Sequence, residues 1–177
     1  YVKNGKIKRI LGFNEPDKEA QGNLTVEDAL DAWSIMEAVQ LPLVSPSFAK
    51  PEGNWAKSFM NGSTTGCKRM EWIGVHWYGS TNFESFVVDI TNLFSKYQRP
   101  LLLTEFAPAD YDAESILQNR QTPDEVLAFM KQALPWLEQQ EFIVGYAWFP
   151  FRATHRAGGS AALFDSNNLL TSLGQYY

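Results

Sequence analysis

Arg9-Ile10-Leu11-Gly12-Phe13-Asn14-Glu15-Pro16-Asp17 falls into two parts. Up to Phe13 it mixes apolar and basic side chains, as a strand does when one end is buried among neighbours. Pro16 has no N–H to continue a ladder and disfavours helix at the residue before it. A strand therefore spans Lys8–Phe13 and closes on an amide, Asn14, and a carboxylate, Glu15. Alone, that ending also suits a solvated strand-to-loop junction. The rest of the chain tips the balance.

Four more strand-like runs follow, at Pro42–Ser45, Trp72–Tyr78, Leu101–Glu105 and Ile143–Phe149. They are nearly continuous apolar runs, as expected for parallel strands covered on both faces. Helical stretches lie between them. Thr25 opens one, with Asp28 as a weak capping-box partner and a stripe of Val26, Ala29, Leu30, Trp33 and Val39. A short one begins after Asn54 and ends at Asn61-Gly62. A third is predicted over Phe83–Tyr97. The last carries a full start signal of Thr122, Pro123 and Glu125, and Pro135 is expected to kink it. Residues 152–168 are too polar and glycine-rich for regular structure, and no linker or low-complexity tract divides the chain.

Alternating strands and helices mean β/α units. Each strand exit carries polar or aromatic groups: Asn14-Glu15, Ser45-Pro46-Ser47, His76-Trp77-Tyr78, Thr104-Glu105-Phe106 and Trp148. Sites at the carboxyl ends of parallel strands point to a (β/α)8 TIM barrel, and no glycine-rich phosphate loop supports a doubly wound sheet. Successive exits are roughly 33 residues apart, about one eighth of the usual barrel. Five units are visible, so the chain is expected to be a single catalytic domain over 1–177 holding strands four to eight. The first three strands are expected from another chain or segment. Glu15 then follows strand four and Glu105 strand seven. Glycosidic bond cleavage needs such a pair of carboxyl groups, about 5 Å apart for retention and further for inversion.

The 177 residues suffice for one real core, and a net charge of −5 argues against a nucleic-acid surface. No apolar run reaches membrane-spanning length. The single Cys67 excludes an intrachain disulfide, and neither it nor the two histidines show metal-ligand spacing. No metal or cofactor is expected. Aromatic residues, at 14%, gather at strand ends where sugars could stack.

Phe-Asn-Glu-Pro-Asp (13–17), His-Trp-Tyr-Gly (76–79), Leu-Thr-Glu-Phe (103–106) and Tyr-Ala-Trp-Phe (146–149), in that order, resemble glycoside hydrolase family 128. That group comprises retaining endo-β-1,3-glucanases of the (β/α)8 hydrolase clan. The resemblance implies Glu15 as general acid/base, Glu105 as nucleophile and Asn14 as the group binding the hydroxyl next to the anomeric carbon. It implies that His76 and Tyr78 steady the nucleophile and that Trp148 forms the floor under the reacting sugar. Tyr146 and Trp55 are further candidates for sugar contact, Trp55 from the loop after the second strand of this chain. β-1,3-Glucan is the expected partner, and a secreted or cell-wall location goes with it. Partial burial and the neighbouring charge of Glu105 are expected to raise the pKa of Glu15.

Each residue also has a plainer reading. His76 would serve as a satisfied core histidine, Trp148 as core, and Asp110, Asp112 and Glu114 as a solvated acidic face. Trp77, of opposite parity to His76, is expected to pack under a helix, and His155 to be solvated. Two other functions stay open: a non-catalytic β-glucan-binding barrel, and a clan relative acting on mannan or cellulose. So does a truncated or rebuilt fragment whose interest is assembly.

Overall fold

The computed structural model describes residues 6–65 and 69–177, so Cys67 lies outside the described residues. The chain is an α/β fold whose order is β1 (Ile10–Leu11), α1 (Val26–Glu37), β2 (Leu43–Val44), α2 (Asn54–Thr65), β3 (Ile73–Gly79), α3 (Phe83–Tyr97), β4 (Leu101–Pro108), α4 (Pro123–Gln139), β5 (Ile143–Trp148) and α5 (Ser172–Tyr176). It forms two compact units, Tyr1–His76 with Tyr97–Thr104, and Trp77–Lys96 with Glu105–Tyr177.

In the first unit β1 and β2 pair in parallel, with Ile10 opposite Leu43 and Leu11 opposite Val44. Parallel bridges Asn14–Ser47, Val44–Trp72 and Phe48–Val75 extend this pairing. The two strands are shorter than their apolar runs. Pro42 and Pro46 bracket β2, and neither can donate to a ladder. A Cβ on Gly12 would come within 2.6 Å of Pro46 N, so only glycine lets the backbones approach here. The helix α1 is capped as its sequence predicts, the Thr25 hydroxyl accepting from Asp28 N at 3.1 Å. Its buried face, Ala29 and Trp33, meets Leu43, Phe48, Ala56, Phe59 and Met70 in one core cluster. Trp33 anchors it, edge-on to Phe13 and Phe59, with its indole N–H donated to Arg69 O at 3.1 Å. Trp55 lies in the first turn of α2 rather than in the preceding loop.

The strands β3, β4 and β5 neighbour one another in that order. In the second unit Trp77 is 7% exposed, stacked on Phe129 of α4 and edge-on to Phe86 of α3, with its indole N–H bonded to Asp89. The expectation that it packs under a helix holds. The capping box of α4 is complete, Thr122 and Glu125 each bonding the other's backbone N–H. Its stripe Val126, Phe129, Met130, Ala133 and Leu137 is buried, and the helix continues through Pro135 to Gln139. The polar loop 152–168 is better packed than its composition suggests, with Ala157, Ala161 and Ala162 buried and a 3-10 turn at Gly159–Ala161. Among the described residues no helix is long and apolar enough to cross a membrane.

Candidate active site

Glu15 lies in the first unit. Its backbone takes φ 38°, a left-handed conformation that a non-glycine residue adopts at a cost of about 1–3 kcal/mol unless its surroundings enforce it. They do: Glu15 N donates to Ser47 O at 2.9 Å, and Glu15 O accepts from Lys18 N at 3.1 Å and Gly22 N at 3.2 Å. The Asp17 carboxylate pins the same turn, accepting from Ala49 N at 2.8 Å and Lys50 N at 2.7 Å. The result turns a buried carboxylate (6% exposed) away from solvent while Asn14 beside it is exposed.

Two cationic or proton-sharing groups meet that carboxylate. His76 Nδ1 lies 3.1 Å from Oε1, and Lys18 Nζ lies 2.9 Å from Oε2. Burial pushes the Glu15 pKa up, but the Lys18 ammonium and His76 outweigh it and hold the carboxyl below its ordinary 4.5. The expected rise is therefore reversed. The largest lowering cause is Lys18, three residues along the turn, followed by His76. The Glu15 contact of His76 is one the sequence did not suggest.

Glu105 lies in the second unit, on β4 three residues from its end. Tyr78 of β3 donates its hydroxyl to Glu105 Oε2 at 2.6 Å. The Tyr78 ring is held edge-on by Phe149, Phe151 and Tyr111 at 5.5, 5.7 and 6.0 Å between centroids. None of these three was a sequence candidate.

Of the three aromatic candidates, Trp148 is buried while Tyr146 and Trp55 are half-buried. Trp148 is 4% exposed, edge-on to Phe106 at 5.1 Å, with its indole N–H donated to Ala161 O at 2.9 Å. Tyr146, two residues earlier, shares its face, and its hydroxyl bonds Glu138 of α4. Burial, then Glu138, pushes that phenol up to about 12. Trp55 donates to Leu24 O at 2.8 Å and stacks on Phe59, which leaves it half-buried.

In the acidic loop after β4, Asp112 and Glu114 are exposed as expected, and Asp110 is not. Asp110 is 4% exposed and accepts from Arg120 Nε at 2.8 Å and Nη2 at 2.5 Å. Hydrogen bonds from Arg120 hold its carboxyl well below the usual range. Arg120 Nη2 also reaches Asp112 at 2.8 Å. His155 is exposed as expected, with Nδ1 accepting from Gly158 N.

The glycosyl hydrolase catalytic core model matches residues 2–177. Alkali-sensitive linkage protein 1 of Schizosaccharomyces pombe is 32% identical over 95% of this chain, which spans about a third (32%) of that relative's length. Among solved structures, a subgroup I endo-β-1,3-glucanase of glycoside hydrolase family 128 from Amycolatopsis mediterranei, in complex with laminaritriose, has a TM-score of 0.83. It is 27% identical, over 98% of this chain and 73% of that one. A subgroup V exo-β-1,3-glucanase of the same family from Cryptococcus neoformans has a TM-score of 0.81 at 26% identity, over 96% of this chain and 68% of that one. The four motifs, the α/β architecture and the match over nearly the whole length agree: the chain belongs to the glycosyl hydrolase catalytic core family, beside the β-1,3-glucanases of glycoside hydrolase family 128.

Proposed function

We propose that this chain is the catalytic part of a β-1,3-glucanase that works by double displacement, with Glu105 as nucleophile and Glu15 as acid/base. One observation carries the reading. His76 and Tyr78, two residues apart on β3 and so of one parity, each hold a glutamate, Glu15 and Glu105 respectively. Tyr78 orients the attacking oxygen of Glu105. In the first step that oxygen bonds the anomeric carbon as the glycosidic C–O bond breaks, and Glu15 gives its proton to the departing oxygen. In the second, Glu15 takes a proton from water, whose oxygen attacks the anomeric carbon and releases Glu105. Asn14, exposed beside Glu15, is assigned to the hydroxyl next to the anomeric carbon. No metal or cofactor enters this scheme.

In this reading β1 to β5 are strands four to eight of a (β/α)8 barrel, with strands one to three supplied by a further segment or chain. Strands alternating with helices, and coverage of 73% of the Amycolatopsis enzyme, support it. β-1,3-Glucan is the assigned partner and endo cleavage the assigned mode, with a secreted or wall-associated location. Both endo and exo relatives occur among the similar structures, so products decide the mode. The full-length chain, given laminarin, mannan and carboxymethylcellulose, is expected to act on laminarin well above the other two. A reversed ranking refutes the substrate, and glucose as the sole early product from laminarihexaose refutes endo action.

A further inference from the structure

The bond from Tyr78 to Glu105 can aim the carboxylate only as well as the Tyr78 ring is itself held. Two loops of the second unit hold it. Tyr111, in the loop after β4, lies edge-on at 6.0 Å, and Phe149 and Phe151, in the chain after β5, lie edge-on at 5.5 and 5.7 Å. Each ring contact is weak alone, so the grip lasts only while both loops keep their places.

Arg156 joins the two loops. Its Nη1 carries two hydrogens and gives them to two carbonyls of the other loop, Tyr111 O at 2.9 Å and Ala113 O at 2.5 Å. Bonds from a charged donor are roughly twice as strong as neutral ones. The other loop answers from its own side. Asn119 Nδ2 donates to Arg156 O at 3.2 Å and Ala157 O at 2.8 Å, and Asp110 N donates to Ala157 O at 2.8 Å. On the Phe151 side there is no slack: a Cβ on Gly158, two residues past Arg156, would come within 2.3 Å of the Phe151 ring. A shift of either loop is therefore passed to a ring that touches Tyr78.

We propose that Arg156 is a positioning residue of the hydrolysis: by tying Tyr111 and Ala113 to the chain after β5, it keeps the aromatic grip on Tyr78 closed, and Tyr78 in turn aims Glu105. The inference rests on the proposed roles of Tyr78 and Glu105, and the test separates it from them. Arg156→Met and Arg156→Lys are made in the full-length chain, alone and together with Tyr78→Phe. Then kcat and KM are measured, below every thermal midpoint, on whichever of laminarin, mannan and carboxymethylcellulose the parent hydrolyses. Arg156→Met is expected to lower kcat about 3- to 10-fold at unchanged KM, and Arg156→Lys, which keeps a cationic donor, to restore most of it. In the Tyr78→Phe background Arg156→Met should cost nothing further, because the bond it protects is already gone. If Arg156→Met fails to fold, Arg156→Gln takes its place in the same cycle. Losses that multiply in the double variant overturn the proposal and leave Arg156 a tie between loop ends. A raised KM at unchanged kcat overturns it in favour of direct contact with the glycan. An unchanged kcat in the Arg156 variants, with Tyr78→Phe slowed, overturns the proposal alone. An unchanged kcat in Tyr78→Phe overturns the role of Tyr78 and the proposal with it.

Discussion

Replacing Lys18 by Met tests the role of Glu15 through its charge environment. The ammonium lies 2.9 Å from Glu15 Oε2, and the Lys18 side chain is 47% exposed, so water screens the pair strongly. Coulomb's law at the dielectric of water gives about 1.4 kcal/mol at that separation. Loss of Lys18 removes a term that holds the Glu15 carboxyl below its ordinary 4.5, so its pKa must rise. A general acid is active while protonated. The basic limb of the kcat/KM profile on laminari-oligosaccharides should therefore move to higher pH in Lys18→Met and stay in place in Lys18→Arg. The same linkage acts on stability. A depressed carboxyl pKa stabilises the fold above 4.5 and loses that contribution as pH falls through its folded value. The thermal midpoint gap between the parent and Lys18→Met should be full at neutral pH and close below about pH 4.5. A basic limb that stays put while the acid limb moves would refute Glu15 as the acid and make it the ionised partner.

Other outcomes follow from single contacts. Tyr78→Phe removes the 2.6 Å bond to Glu105 and keeps the ring packing, so the barrier should rise by about 1.5–3 kcal/mol and kcat should fall about 10- to 160-fold, measured on laminari-oligosaccharides. Asp17→Ala leaves Ala49 N and Lys50 N without their carboxylate, which should cost about 1–3 kcal/mol in urea unfolding and slow turnover through the Glu15 turn. Trp77→Ala empties a stacked site between α3 and α4 and should cost about 3–5 kcal/mol by the same measurement. Thr122→Ala breaks the capping box of α4 and should cost about 1 kcal/mol.

Much of this arrangement is legible in the sequence where one residue type has one physical use. Thr122-Pro123-Asp124-Glu125 specifies a helix start, and α4 begins at Pro123. Period two on β3 separates His76 and Tyr78 from Trp77, because the strand contrasts polar with apolar side chains. The strand β5 offers no such contrast. Tyr146, Ala147, Trp148 and Phe149 are all apolar or aromatic, so nothing local says which pair meets α4, and the structure gives that face to Tyr146 and Trp148. Phe149 takes the opposite parity and packs on Tyr78. The Lys18–Glu15 pair is formed by a turn that φ 38° at Glu15 makes possible, and sequence periodicity carries no information about that angle. Asp110 is buried because Arg120, ten residues on, returns to it, a loop closure that composition reads only as exposed charge.

The division of labour between the two glutamates is tested most directly by azide rescue of full-length Glu105→Ala with an activated aryl β-glycoside. Azide filling the place of the lost carboxylate attacks from the face opposite the leaving group, so the predicted product is the α-glycosyl azide. In Glu15→Ala the glycosyl-enzyme still forms on Glu105, and azide should give the β-glycosyl azide. The opposite pairing of products, or a carboxyl separation of about 7 Å or more in a glycan-bound crystal structure, would contradict Glu105 as the nucleophile of a retaining enzyme.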